Sequence, residues 1–286
     1  MERFVGACAP KSRERGAAAS TMPRLPRDAE LETFPRASVP VVEYGKGTMR
    51  RAARNAICER ELTLVANGER LVTLLCSDAA LRELAYGFLY GEGIIESLSD
   101  VRSCSIDKSS MTASFDLTAP VCRPDCLTIS SGFGGKMLNA LAVELPRSCV
   151  DAEATCERAF AMADLTKAVG TMRSFSREYT ITRGIHCSAL FRRGAPLASF
   201  EDIGRHNTFD KLAGCCLLEE QDAGGTLLTT TGRISSEMVR KASRLGVSGI
   251  ASLSGPTDKA IALAQGAGML LAGYVTEASA CVYAGM

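Results

Sequence analysis

The chain has 286 residues, with 33 basic against 32 acidic side chains and a formal net charge of +1. So even a balance gives no electrostatic footprint for a polyanion or an anionic lipid surface, so neither nucleic acid nor membrane is expected among its partners. A hydrophobic content of 46% supplies a sizeable core, in one large domain or two modest ones.

Residues 1–40 mix Arg, Ser, Ala and Pro without the apolar stretch and cleavage site of a secretory signal, and are expected to form a disordered extension. The first firm signal is Glu61–Leu75, where two β-rich runs flank Asn67-Gly68, the pair that a type I′ turn demands. Ser77 is placed to cap a helix in which Leu81, Leu84, Ala85, Phe88 and Leu89 recur at helical spacing and Gly91 marks the stop. Two further strands are expected over 100–107 and 112–118, and Val121–Gly135, rich in Cys, Pro, Ser and Gly, reads as a loop with room for chemistry.

From about residue 155 a helix leads into a β-type run, Tyr179–Leu190. Strand and helix then alternate: strands near 196–203, 226–231, 247–253 and 269–275, helices near 207–219, 235–245 and 256–266. Repeated βα units of this length predict a largely parallel sheet covered by helices. The organisation expected is α/β (α+β overall), with a small β-rich N-terminal subdomain over 41–150 and an α/β domain over 151–286. The longest uncharged run, Ala260–Thr276, falls short of the roughly 18 apolar residues of a spanning helix and reads as a buried helix and strand. Twelve cysteines scattered through a long, core-rich chain suggest reduced thiols in a cytoplasmic protein.

In such a sheet, ligands bind beyond the carboxyl ends of the strands, where helix N-termini offer free amides and partial positive charge. Three junctions qualify. In Glu201-Asp202-Ile203-Gly204-Arg205-His206-Asn207, Asn207 is expected to cap the helix and Asp210 to answer it, ahead of Lys211, leaving Arg205 and His206 at the mouth. Thr231-Gly232-Arg233-Ile234-Ser235 offers a glycine for close approach, a two-pronged anion contact and a cap. Ser254-Gly255-Pro256-Thr257 puts a proline at the first helical turn. Each junction alone is what any βα connection uses; three together, two carrying Arg, point to a phosphate-bearing ligand. The two histidines, His186 and His206, fall at two loop-like breaks, which makes them candidate functional residues.

No protein-bound metal is expected: Cys122 and Cys126 have three residues between them and no nearby His, and the His-x-Glu and Pro-Cys-x-x-Cys signatures of zinc deaminases are missing. Gly132–Lys136 is only superficially a phosphate loop, because Met137 stands where Ser or Thr is required.

Taken together, Glu201–Asn207, Asp210-Lys211, Gly232-Arg233, Glu237, Lys241 and Ser254–Thr257 resemble the FdhD family, and the likeness extends over about 55–284 through Glu61, Asn67-Gly68, Leu84–Ile95 and Gly184-Ile185-His186. The resemblance implies a cytidine-deaminase-like three-layer domain without zinc. It also implies a homodimeric sulfurtransferase that carries sulfur from a cysteine desulfurase to the molybdenum bis(molybdopterin guanine dinucleotide) cofactor of the formate dehydrogenase catalytic subunit. The guanine nucleotide portion is expected against His186, Asp202, Gly204, Arg205, His206, Asn207, Asp210, Lys211, Gly232, Arg233, Ser235, Ser254, Pro256 and Thr257. A further expected contact is the segment Tyr274, Val275, Thr276, Glu277, Ala278 and Ser279, which keeps the family's aromatic but lacks its spaced arginines.

A persulfide carrier needs an activatable thiol on an accessible loop. The family's Ser-Cys-Gly-x-Cys-Gly motif falls on Ser130-Ser131-Gly132-Phe133-Gly134-Gly135, so Ser131 occupies the persulfide position and neither cysteine is kept. Cys122 and Cys126, a few residues upstream, are the candidates to take over. The alternative expectation is a guanine-nucleotide or molybdopterin chaperone that has given up sulfur transfer; a hydrolytic nucleotide enzyme would need a metal or a paired general base beside the pocket.

Overall fold

The computed structural model describes residues 34–121, 128–129, 136–137 and 160–285. It opens with a two-stranded antiparallel ribbon, β1 (Arg36–Gly45) and β2 (Thr48–Ile57), which the sequence reading passed over. Residues 36–40 therefore belong to a strand and not to the expected extension, of which residues 1–33 lie outside the described residues.

A four-stranded sheet follows, in the order β4 (Glu69–Cys76), β3 (Arg60–Ala66), β6 (Thr112–Leu117), β5 (Val101–Asp107). Asn67 and Gly68 take φ of 51° and 81°, the pair of positive values that a tight hairpin needs. Asn67 also accepts from Leu117 N at 2.7 Å and donates to Ala119 O at 3.0 Å, which pins the end of β6 to the turn. Helix α1 (Leu81–Gly91) buries Leu81, Leu84, Ala85, Phe88 and Leu89 against Leu62, Leu64, Leu74 and Phe115. Each fully buried Leu or Phe among them contributes on the order of 2 kcal/mol. Ser77 does not cap this helix: Ala80 is the N-cap, in the left-handed region, and the Ser77 hydroxyl is used elsewhere.

The larger sheet has six strands in the order β10-β9-β11-β12-β13-β14, with β9 (His186–Arg192), β10 (Ala195–Asp202), β11 (Thr226–Thr230), β12 (Gly249–Ser252), β13 (Leu270–Gly273) and β14 (Cys281–Ala284). The two-residue strands β7 (Thr128–Ile129) and β8 (Lys136–Met137) pair with each other. Only β11–β12 and β12–β13 are parallel, while β10–β9, β9–β11 and β13–β14 are antiparallel. The sheet is thus mixed, which corrects the largely parallel expectation: a tight turn at Arg193-Gly194, both at positive φ, makes β9 and β10 a hairpin instead of a crossover pair.

Alternate residues of this sheet serve two cores. Leu190, Leu228, Ile250 and Leu271 face α4 (Arg205–Leu218), α5 (Ser236–Leu245) and α6 (Asp258–Gly266). Cys187, Ala189, Phe191, Leu227, Ala251 and Ala272 face α2 (Met162–Phe175), so the sheet lies between two helical layers. The expected β-run from Tyr179 is instead helical at its start, with α3 (Arg177–Thr182) preceding β9. Its first N–H groups, those of Glu178 and Tyr179, are accepted by the Glu201 carboxylate at 3.3 Å each, a tertiary cap that outweighs the β-preference of Tyr, Thr and Ile.

The two sheets are joined where α1 crosses α4. A Cβ on Gly87 would lie 1.7 Å from the Asp210 carbonyl oxygen, and one on Gly214 would lie 1.9 Å from that of Glu83. Backbone faces backbone at this crossing, so neither position has room for a methyl group. Gly87→Ala should lower stability by roughly 3 kcal/mol, read as a lower urea midpoint, since overpacking against main chain has no flexible side chain to yield; an unchanged midpoint would contradict the crossing.

Candidate functional site

Strands β10, β11, β12 and β13 all run in one direction, so their carboxyl ends, the start of β9 and the N-termini of α4, α5 and α6 share one edge of the sheet. The loops there are cross-linked by small side chains. Ser252 Oγ donates to Gly232 O at 2.7 Å, Ser254 Oγ to Thr231 O at 3.0 Å, and Ile234 bridges to Pro256. Two glycines lie close under side chains: a Cβ on Gly232 would meet Arg205 Cβ at 2.9 Å, and one on Gly255 would meet Tyr274 Oη at 2.4 Å and displace the exposed ring.

The floor of this edge is the fully buried carboxylate of Asp202. Its Oδ2 accepts from Ser77 N at 3.2 Å, Ser77 Oγ at 2.9 Å and Lys211 Nζ at 2.6 Å. Its Oδ1 accepts from Gly204 N at 2.9 Å and Asn207 Nδ2 at 2.7 Å. Lys211 Nζ completes its set with Ser77 Oγ and Glu201 O, both at 3.0 Å. The expected Asn207 cap is corrected here. Gly204 is the N-cap, and Asn207 sits inside the first turn, where its amide turns back to Asp202 and to Leu75 O at 2.8 Å.

Above the floor stand the mouth residues. Arg205, the first residue of α4, is half-buried, and its buried Nε has no hydrogen-bond partner. Burial, and then the neighbouring Arg233, lower its pKa, although it stays charged. His186 Nδ1 lies 3.1 Å from Thr231 Oγ1, and burial followed by the charge of Arg205 lowers its pKa. His206 is 2% exposed, with Nε2 at 3.4 Å from both Glu237 Oε2 and Ser235 Oγ. Although Glu237 is close enough for an ion pair, burial, helped by Lys241 and Arg205, pushes the imidazole down to about 3, so at neutral pH it is an uncharged hydrogen-bonding group. Ser235 is the N-cap of α5, as expected, accepting from Met238 N.

A second charged cluster lies beneath the mouth. Lys241 Nζ is 2.8 and 3.0 Å from the Asp210 carboxylate oxygens, 3.3 Å from Glu92 and 3.9 Å from Glu237. Burial opposes its charge, yet the three carboxylates hold the ammonium above its usual range. Asp210 is therefore bound to Lys241 from α5, with no role as a capping-box partner of Asn207.

At the third junction Thr257 is the N-cap of α6, accepting from Ala260 N at 3.3 Å, and Pro256 precedes the helix instead of entering its first turn. Tyr274, a residue 55% exposed with φ of 52°, lies over Gly255 and is followed by a turn in which Thr276 and Ser279 bond to each other. Val275 is fully buried, Glu277, Ala278 and Ser279 are exposed, and no cation occurs in this segment.

The expected residues thus divide. His186, Gly204, Arg205, Gly232, Arg233, Ser235, Ser254 and Tyr274 gather at the edge. Asp202, Asn207, Asp210 and Lys211 are enclosed below it by protein partners. Ser77, Glu92, Thr231, Glu237 and Lys241 are further structural members of the site beyond the expected residues; Thr231 and Glu237 flank the second junction, and Glu92, Glu237 and Lys241 belong to the family pattern. Cys122, Cys126 and Ser131 lie outside the described residues. Among the described residues, no three His, Cys, Asp or Glu side chains are grouped so as to hold a metal ion.

Fold and edge together define a mixed α/β protein in which three helix N-termini converge on one sheet edge carrying Arg205 and Arg233. Residues 57–286 match the FdhD/NarQ family. The chain is 32% identical over 249 residues to the sulfur carrier protein FdhD of Bacillus licheniformis, a match covering 85% of this chain and 93% of that one. It is also 32% identical to the protein of the same name from Bacillus subtilis, again with 85% and 93% covered. A crystal structure from Desulfotalea psychrophila, assigned as a formate dehydrogenase accessory protein, superposes with a TM-score of 0.68 over 87% of this chain and 96% of that one, at 22% identity. The chain belongs to the FdhD/NarQ family.

Two outcomes follow from the geometry. Lys211→Met leaves Asp202 buried without its counter-charge and should cost about 3–5 kcal/mol in urea unfolding, whereas a loss near zero would show that the clamp is not a stabilising element. The second concerns pH. Folded His206 resists protonation until about 3, whereas the unfolded imidazole takes its proton near 6.5. Its stabilising contribution is complete above about pH 6.5 and declines as the pH falls towards 3. Unfolding midpoints of His206→Asn should fall less steeply across that window than those of the wild type; parallel profiles would contradict a neutral buried imidazole.

Proposed function

We propose that this chain is an accessory protein of formate dehydrogenase maturation. It holds the guanosine end of the molybdenum bis(molybdopterin guanine dinucleotide) cofactor at the three-helix edge and passes it sulfur drawn from a cysteine desulfurase. The cofactor is cargo here, delivered to the formate dehydrogenase catalytic subunit. The observation that carries the reading is Arg205, whose guanidinium stands at a helix N-terminus with a buried, unpartnered Nε beside Arg233 and the close-approach Gly232. A phosphate supplies the acceptors that such donors lack. Membership of a family whose relatives are named sulfur carriers supports the same reading.

The finer points belong to the proposal. The domain is taken to be of the cytidine-deaminase type, set beside a β-rich subdomain that ends near residue 150. The protein is taken to work in the cytoplasm as a homodimer; among the described residues no helix is long and apolar enough to cross a membrane. In the sulfur step, a thiolate of Cys122 or Cys126 attacks the outer sulfur of the desulfurase persulfide. A new S–S bond forms, and the donor thiolate leaves. Ser131 and Gly134 offer no thiolate, so the route depends on these two cysteines.

Calorimetric titration with GDP tests the ligand half: the wild type should bind, and Arg205→Ala should lose affinity by at least tenfold, about 1.4 kcal/mol. Equal binding by both, or none by the wild type, sinks it. Incubation with cysteine, a desulfurase and labelled sulfur tests the other half by mass spectrometry of each thiol. Label on Cys122 or Cys126 supports the carrier; GDP binding without label makes the protein a cofactor chaperone that has lost the transfer.

A further inference from the structure

The smaller sheet ends in an edge strand. In the order β4-β3-β6-β5, β5 pairs with β6 alone among the described residues, and beyond a bulge at its start Ser103–Asp107 runs in regular register. The opposite edge, β4, is closed near its end by Asn207, which donates to Leu75 O at 2.8 Å. An edge strand turns a row of backbone N–H and C=O groups outward and templates a further strand unless a proline, a covering element or repulsive charge prevents it. β5 contains no proline, and alternate residues along it, Ser103, Ser105 and Asp107, are exposed.

Beside this edge lies a groove of about 600 Å³, bounded by β5 and the first turns of α1. Tyr86, Val101, Cys104 and Ile106 give it an apolar floor. The charged residues of its lining are Arg82, Arg102 and Lys108 against Glu83, three minus one, or +2. Arg82 stands over the Tyr86 ring, 5.7 Å from its centroid. Arg102 has Asp116 at 3.4 Å, a solvated contact between two largely exposed side chains that is readily exchanged for another carboxylate. Asp107 at the end of β5 is turned onto its own loop, where it accepts from the hydroxyls of Ser109 and Ser110 at 2.6 and 2.8 Å. The groove behind the C-terminal end of α4, about 610 Å³, has the opposite sign, with Glu96, Glu220 and Asp222 in its lining, and no strand borders it.

We propose that the β5 edge is a docking site for an extended acidic segment of a partner protein, which adds a fifth strand to the smaller sheet and sets apolar and carboxylate side chains against the groove. Main-chain bonds to β5 fix the register, the floor takes the apolar side chains, and Arg82 and Arg102 select for carboxylates. The inference uses no residue of the three-helix edge and stands whether or not that edge binds a nucleotide.

The probe is a dye-labelled peptide, Ser-Val-Glu-Glu-Val-Val-Glu-Glu-Val-Ser, which as a strand presents both Val and Glu on each face. Fluorescence anisotropy with the full chain at low salt should show binding. A copy with Lys for every Glu, and one with Pro-Pro for the central Val-Val, should each bind at least tenfold more weakly. Arg82→Glu combined with Arg102→Glu should weaken the acidic peptide at least tenfold and favour the Lys copy, with the urea midpoint as the check on folding. Hydrogen exchange of the wild type should slow in 101–107 when the acidic peptide is added, and this readout decides if the double variant fails to fold. No binding of the acidic peptide overturns the proposal. Equal binding of the Pro-Pro copy overturns it too, since the groove is then only an anion surface, and so does binding that ignores the double variant or protects other segments.

Discussion

The carboxylate of Asp202 is the point on which the candidate site depends. Five donors converge on its two oxygens, and they come from the end of β4, the loop before α4 and two turns of α4 itself. Ser77 belongs to the smaller sheet and the others to the larger, so one buried anion ties the two together and sets where α4 begins. Replacing such an arrangement wholesale by apolar side chains need not cost stability, but removing one member leaves a charge stranded in the interior. Its value lies in geometry: with Asp202 and Lys211 fully engaged below and Asn207 held through its amide nitrogen, Arg205 remains at the rim with an unsatisfied donor.

The backbone contact between α1 and α4 supports the same end. Gly87 and Gly214 let the helices approach until main chain touches main chain, which brings Glu92 within reach of Lys241 and closes the second charged cluster. That cluster also keeps His206 uncharged, since the Lys241 ammonium adds to the cost of burying an imidazolium. Among the described residues, the cations at the mouth are Arg205 and Arg233, the two that the proposed phosphate contact uses.

What the sequence revealed and what it hid follow from the range of the interactions. The Asn67-Gly68 hairpin, the stripe of α1 and the succession of βα units are local and were legible. The mixed sheet was not, because the Arg193-Gly194 turn went unread between two apolar runs that each look like a parallel strand. Helix α3 was hidden for another reason: its residues favour strand, and the carboxylate that caps it comes from Glu201, more than twenty positions away. Ser77 looked like a helix cap because that is its best local use, and only the fold brings it to Asp202, 125 residues on. The edge residues themselves were recognisable as three polar junctions, whereas the division into rim and floor required burial and distances.

The proposed nucleotide site lies where the N-termini of α4, α5 and α6 meet. Hydrogen exchange of the backbone amides, followed by mass spectrometry with and without GDP, reads that edge directly. Slower exchange on adding GDP in 203–208, 231–236 and 254–258, with the C-terminal end of α4 unchanged, is the result expected. Protection confined to other segments, or none at saturating nucleotide, would contradict the account.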